Sequence, residues 1–119
     1  WAQSTFYRNT SPAGAFLGLR LRQPTCAGAG PTSPAIGAEA DARLPNGRTQ
    51  LQELYPANGH NGVNAPDLLF GLGHQPVTAV PVHLSWRDGC GKRHATDVTL
   101  APGWHQLRLA PDGTVAEDQ

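Results

Sequence analysis

Fourteen glycines and eleven prolines punctuate a chain of 119 residues, and this spacing constrains the fold more than any other feature. Both residues break helices, so long helices are excluded and short strands joined by tight turns are favoured. Three Trp, three Phe and two Tyr, together with several alternating segments, argue against disorder.

Between the glycines and prolines the apolar residues recur with period two. Leu17, Leu19 and Leu21 fall on one face of a strand, with Gly18, Arg20 and Arg22 on the other, as in a half-buried strand. Over residues 36–44, Ile36, Ala38, Ala40, Ala42 and Leu44 alternate with Gly37, Glu39, Asp41 and Arg43. A helix would scatter these charges around its axis, whereas period two separates the faces. Pro45-Asn46-Gly47 predicts a hairpin, with Asn-Gly suited to a type I′ turn, and residues 48–55 return antiparallel. Residues 68–73 form a short apolar segment. Val80, Val82, Leu84 and Trp86 then share a face opposite Pro81, His83 and Ser85, and Pro81 places this strand at a sheet edge or at a bulge. Residues 92–100 and 104–109 follow as strands around turns at Asp88-Gly89-Cys90-Gly91 and Ala101-Pro102-Gly103, and Asp112-Gly113 predicts a last turn before a polar tail. Each sheet must bury one apolar face, so an all-β, two-sheet antiparallel sandwich of about seven short strands without significant helix is expected.

Nine basic and nine acidic residues cancel, and charged residues are only 15% of the chain. The basic residues are scattered in sequence, so nucleic acid is not the expected partner. No apolar run approaches the length of a membrane-spanning helix, and direct membrane insertion is not expected. The chain lacks methionine and begins at Trp1, so it reads as a processed, trimmed or partial product. Cys26 and Cys90 form no CxxC pair, which leaves zinc and redox sites unsupported; in an exported protein they make one natural disulfide, with two unpaired thiols as the alternative.

Four short motifs then occur in order: Ala35-Ile36-Gly37-Ala38, Gly47-Arg48-Thr49-Gln50, Leu69-Phe70-Gly71-Leu72-Gly73 and Trp86-Arg87-Asp88-Gly89. Their order and spacing over residues 14–92 resemble the ASPIC/UnbV domain family (cartilage acidic protein-like), which occurs in many bacterial exported proteins. Phe6-Tyr7-Arg8-Asn9 resembles the end of an FG-GAP β-propeller blade. The resemblance implies a calcium-binding propeller upstream and an exported location: periplasmic, cell-surface or secreted. On this basis residues 1–13 are an N-terminal arm left from a propeller or linker, residues 14–110 the sandwich, and residues 111–119 a polar tail; arm and tail are expected to gain order from contacts outside the domain. Two departures stand out. Thr32-Ser33-Pro34 replaces a polar N-x-D segment, and Gly59-His60-Asn61-Gly62-Val63-Asn64 replaces a glycine-rich loop that includes Tyr. The resemblance carries over no catalytic residue.

The residues themselves offer little chemistry. His60, His74, His83, His94 and His105 show no HxH, HxxxH or HExxH spacing, and His83 points outward from its strand. Ser85, His83 and Asp88 lie close in sequence without a GxSxG elbow. Glu39 and Asp41 share a face, which reads as a calcium pair or as a solvated row with Arg43. Asn58, Asn61, Asn64 and Asp67 make an oxygen-rich loop, read as ligand contacts or as turn chemistry. Trp104 follows Pro102-Gly103, where an exposed indole can stack on a sugar or anchor a partner. Trp1, Phe6 and Tyr7 are candidate docking residues.

These features predict a non-catalytic structural or protein-interaction domain of an exported protein, needing no cofactor, docked on other protein chains or on an upstream propeller as part of a larger assembly. The alternative is a calcium- or carbohydrate-binding module using Asn58, Asn61, Asn64, Asp67 and Trp104.

Overall fold

A computed structural model describes residues 14–57, 63 and 65–118, and none of these is helical. Nine strands follow one another: β1 (Ala15–Pro24), β2 (Thr32–Pro34), β3 (Glu39–Arg43), β4 (Thr49–Glu53), β5 (Leu68–Gly73), β6 (Val80–Arg87), β7 (Arg93–Leu100), β8 (Gly103–Leu109) and β9 (Val115–Asp118). They form two sheets. One runs β4-β3-β6-β7; the other runs β2-β1-β8-β9, with β5 also paired to β1. Every pairing is antiparallel except β1 with β8, which is parallel.

Two strands exceed the expected seven. β2 is three residues long, too short for a period. β9 occupies the segment expected to be a tail; it pairs with β8 from Leu109↔Val115 to Gln106↔Asp118, so it is ordered by its own sheet. Its sequence is mostly polar, and only Val115 packs against the core. The N-terminal arm lies outside the described residues.

One turn design is used three times. In segments 44–48, 88–92 and 110–114, the first residue donates its N–H to the fifth carbonyl, and the fourth donates to the first. The fourth residue is Gly47, Gly91 or Gly113, with φ of 84°, 86° and 89°. This is a type I turn closed by a glycine in the left-handed region. The type I′ expectation at Asn46-Gly47 is corrected accordingly: Pro45 fixes a negative φ at the first turn position, so the loop takes three residues. Asn46 Oδ1 accepts the Arg48 N–H at 2.9 Å, and Asp112 Oδ1 accepts the Thr114 N–H at 3.0 Å.

The segment 35–38 is also a turn. Ala38 donates to the Ala35 carbonyl at 3.0 Å, and Gly37 takes φ 89° at the position where a type II turn needs it. Ile36 is therefore 52% exposed, not inward-facing, and β3 starts three residues later than the alternation suggested.

The core is one cluster shared by both sheets. Leu17, Leu19, Leu21, Phe70, Leu107 and Leu109 come from the five-stranded sheet, and Val80, Val82, Leu84 and Trp86 from β6. β3 contributes only Ala40 and Ala42, both fully buried, so the large side chains of other strands supply the volume. Truncating one of these leucines to alanine costs about 2–5 kcal/mol. β6 is central, not an edge strand. Its ladder with β3 ends at Ala42↔Val82, one residue before Pro81, so the missing N–H falls beyond that ladder.

Candidate binding face

With Leu17, Leu19 and Leu21 turned inward, the even-numbered residues of β1 form the outer face of the five-stranded sheet. The parallel register sets Gly18 beside Trp104, Arg20 beside Gln106 and Arg22 beside Arg108. On the other side of β1, Gly18 pairs with Leu69 and Phe16 with Gly71.

Gly18 makes room for the indole. A Cβ there would lie 2.3 Å from Trp104 Cε3, well inside van der Waals contact. Phe16 meets the indole edge-on at 5.7 Å between ring centroids, and the Arg20 guanidinium carbon is 4.8 Å from the indole centroid. Arg20 Nε also reaches Asp67 Oδ1 at 3.4 Å. Arg20 thus joins Asp67 and Trp104, two residues singled out in the sequence, into one group. Trp104 remains 49% exposed and Leu69 55% exposed, giving the face an apolar centre.

Farther along the same face, Arg22 donates from Nε to Thr32 Oγ1 at 2.9 Å and from Nη2 to the Thr32 carbonyl at 2.6 Å. Arg108 Nη2 donates to the Gly28 carbonyl at 2.8 Å. All these acceptors are neutral, so they orient the guanidinium groups without cancelling their charge.

One end of the sandwich is tied together. Cys26 and Cys90 form a disulfide with Cα atoms 4.7 Å apart. Asp88 is buried beside it: Oδ1 accepts the N–H groups of Cys90 and Lys92 at 2.8 and 2.9 Å, and Oδ2 bonds His94 Nε2 at 2.6 Å. The His94 contact lowers the Asp88 pKa; burial opposes this, and the two backbone donors reinforce it. The His94 ring lies 5.3 Å from that of Trp86. At β8, His105 bonds Glu117 through Nδ1 and the Ala101 carbonyl, at 2.6 Å, through Nε2. Burial disfavours its charge, yet the Ala101 carbonyl and the Glu117 carboxylate outweigh that and raise its pKa.

The remaining sequence candidates separate. Asn58, Asn61, Asn64, Trp1, Phe6 and Tyr7 lie outside the described residues. Glu39 and Asp41 share the outer face of the four-stranded sheet with Arg43, as expected; Asp41 sits in register with His83, while His83 bonds Asp97 at 2.6 Å. Asp88 engages His94, so Ser85, His83 and Asp88 do not assemble. Among the described residues, no three His, Cys, Asp or Glu side chains converge as a metal ion would require. Phe16, Gly18, Leu69 and the Arg22–Arg108 pair escaped sequence reasoning as a site, although the outward row Gly18, Arg20, Arg22 was visible.

The fold and the disulfide-tied end define a class: a small all-β sandwich domain with one aromatic and arginine-bearing sheet face. A family model described as "ASPIC and UnbV" matches residues 28–116, and the chain belongs to that family. No curated protein matches the chain, and no solved structure matches it.

Proposed function

We propose that this is a non-catalytic interaction domain of an exported protein, and that it docks other protein chains, such as an upstream propeller, through the outer face of the five-stranded sheet. The observation that carries this reading is Trp104, half-exposed yet seated against Gly18 between Phe16 and Arg20. A large aromatic held in place at low entropic cost is what a protein interface uses as an anchor. The Cys26–Cys90 disulfide supports an oxidising compartment.

Photo-crosslinking in the full-length protein tests the reading. A benzoylphenylalanine at Leu69 should give crosslinks to a defined protein chain, suppressed by Trp104→Ala, whereas the same probe at Ala95, on the other sheet, should give none. Equal crosslinking from both positions, or crosslinking indifferent to Trp104→Ala, would refute it. The carbohydrate alternative draws on the same indole and the adjacent Arg20–Asp67 pair; a glycan array with Trp104→Ala as control separates it from protein docking.

A further inference from the structure

Arg22 and Arg108 hold the 28–32 segment through neutral acceptors, which leaves their charge unmatched. The two residues are direct register neighbours on adjacent strands, where strand spacing is about 4.8 Å and like charges opposite one another are destabilising. Among the described residues, neither makes an ion pair with a carboxylate; the pairs present are Arg20–Asp67, His83–Asp97, His94–Asp88 and His105–Glu117. Each guanidinium is held by a neutral carbonyl, and each has further N–H donors to spare. Two cations at neighbouring register positions on one face, neither neutralised by a carboxylate among the described residues, suit a planar anion that can bridge them.

We infer that Arg22 and Arg108 form a carboxylate clamp that receives an acidic side chain from a protein segment whose apolar residues rest on Trp104, Phe16 and Leu69. The inference rests on the docking role proposed for this face. Four residues along β1 separate Gly18, under the indole, from Arg22, a span of about 13 Å, so one extended segment reaches both. A mixed apolar and acidic peptide fits better than a polyanion. Towards the indole the only further arginine among the described residues is Arg20, already paired with Asp67, and formal net charge is zero, so neither a continuous basic track on the described face nor a long-range field is offered to a polysaccharide.

NMR titration of the domain tests this with a defined probe: a ten-residue peptide bearing one Phe and, four residues on, two Glu. Its Gln counterpart and a galacturonate hexamer serve as comparisons. The acidic peptide should shift the signals of Arg22, Arg108 and Trp104, and the Gln peptide should bind at least about tenfold more weakly, as expected for losing a bidentate charged contact. Arg22→Gln and Arg108→Gln should each weaken the acidic peptide by a similar factor while keeping the wild-type pattern of NMR signals elsewhere, with a modest fall in Tm for the hydrogen bonds each gives up to Thr32 or Gly28; Arg48→Gln, on a distant hairpin, should change nothing. Binding lost in Trp104→Ala but retained in both arginine variants would overturn the clamp and leave the docking face standing. Binding indifferent to all three would overturn both. Galacturonate binding as tightly as the peptide, or no shifts with millimolar peptide, would also overturn the clamp as a receptor for protein.

Discussion

Replacing Gly18 by alanine should disturb the outer face without touching the core. The new Cβ would stand 2.3, 2.6 and 2.7 Å from Cε3, Cζ3 and Cδ2 of Trp104, so the indole must move by more than 1 Å to reach ordinary contact at about 3.5–4 Å. That movement breaks the edge-on contact with Phe16, a type of pair worth about 0.5–1.5 kcal/mol, and the contact with Arg20, worth about 0.5–1 kcal/mol at an exposed site. Alanine returns about 0.5–1 kcal/mol because glycine is unfavourable within a strand. The net is a destabilisation of about 0.5–1.5 kcal/mol. Urea unfolding of wild type, Gly18→Ala, Trp104→Ala and the double variant completes a double-mutant cycle. In the Trp104→Ala background the clash is gone, so Gly18→Ala should become neutral or stabilising. If it destabilises equally in both backgrounds, the indole is not why glycine occupies position 18, and the account of this face fails.

Other expectations follow from the same structure. Replacing both Cys26 and Cys90 by serine opens a covalent loop with a sequence separation of 64; chain entropy then predicts a loss of about 4 kcal/mol, and a loss below about 1 kcal/mol in urea unfolding would show that the link does not restrain the unfolded chain as described. His105, with its pKa raised above the model-compound value of 6.5, contributes stability that is complete below that value and is lost as pH rises through the higher folded pKa; Glu117→Gln should flatten the fall in Tm across neutral pH, and an unchanged profile would contradict the pairing. Asp88 has the opposite sign: its folded pKa lies below 3.8, so its contribution is present above that value and is lost as pH falls through the folded pKa. Asp88→Asn, which keeps an acceptor for the Cys90 and Lys92 N–H groups, should remove that part of the acid slope in Tm measurements. An acid slope identical to wild type would exclude the His94 contact as its source.

Much of the fold was legible because period two needs only neighbours in sequence. β6 follows it throughout: Val80, Val82, Leu84 and Trp86 are buried, and Pro81 and His83 exposed. The β3–β4 hairpin was legible from Pro45-Asn46-Gly47, whereas Asp112-Gly113 signalled a turn but not the strand that follows it. Ile36 departs from the alternation because a turn residue beside a strand continues the period by coincidence; the Gly37 φ of 89° marks the bend. β9 was missed because its pairing comes from backbone hydrogen bonds and its side chains carry little apolar signal. The candidate site was less legible still. Trp104 and Asp67 were individually visible as candidates. Their connection through Arg20, and the meeting of Arg22 with Arg108, depend on parallel pairing between β1 and β8, strands far apart in the chain with no local signature of their register. Gly18 looked like an ordinary polar-face position until the indole above it was known.

That parallel pair also bears on how the chain matures. β1 is among the first described strands to leave the ribosome and β8 nearly the last, yet they lie side by side at the middle of one sheet. Until β8 arrives, the leucines of β1 lack their neighbours Leu107 and Leu109, and one side of β1 presents unpaired backbone groups. Long-range pairing of this kind delays folding until β8 has emerged. A product truncated before β8 would therefore present a sticky, half-built sheet to whatever it meets.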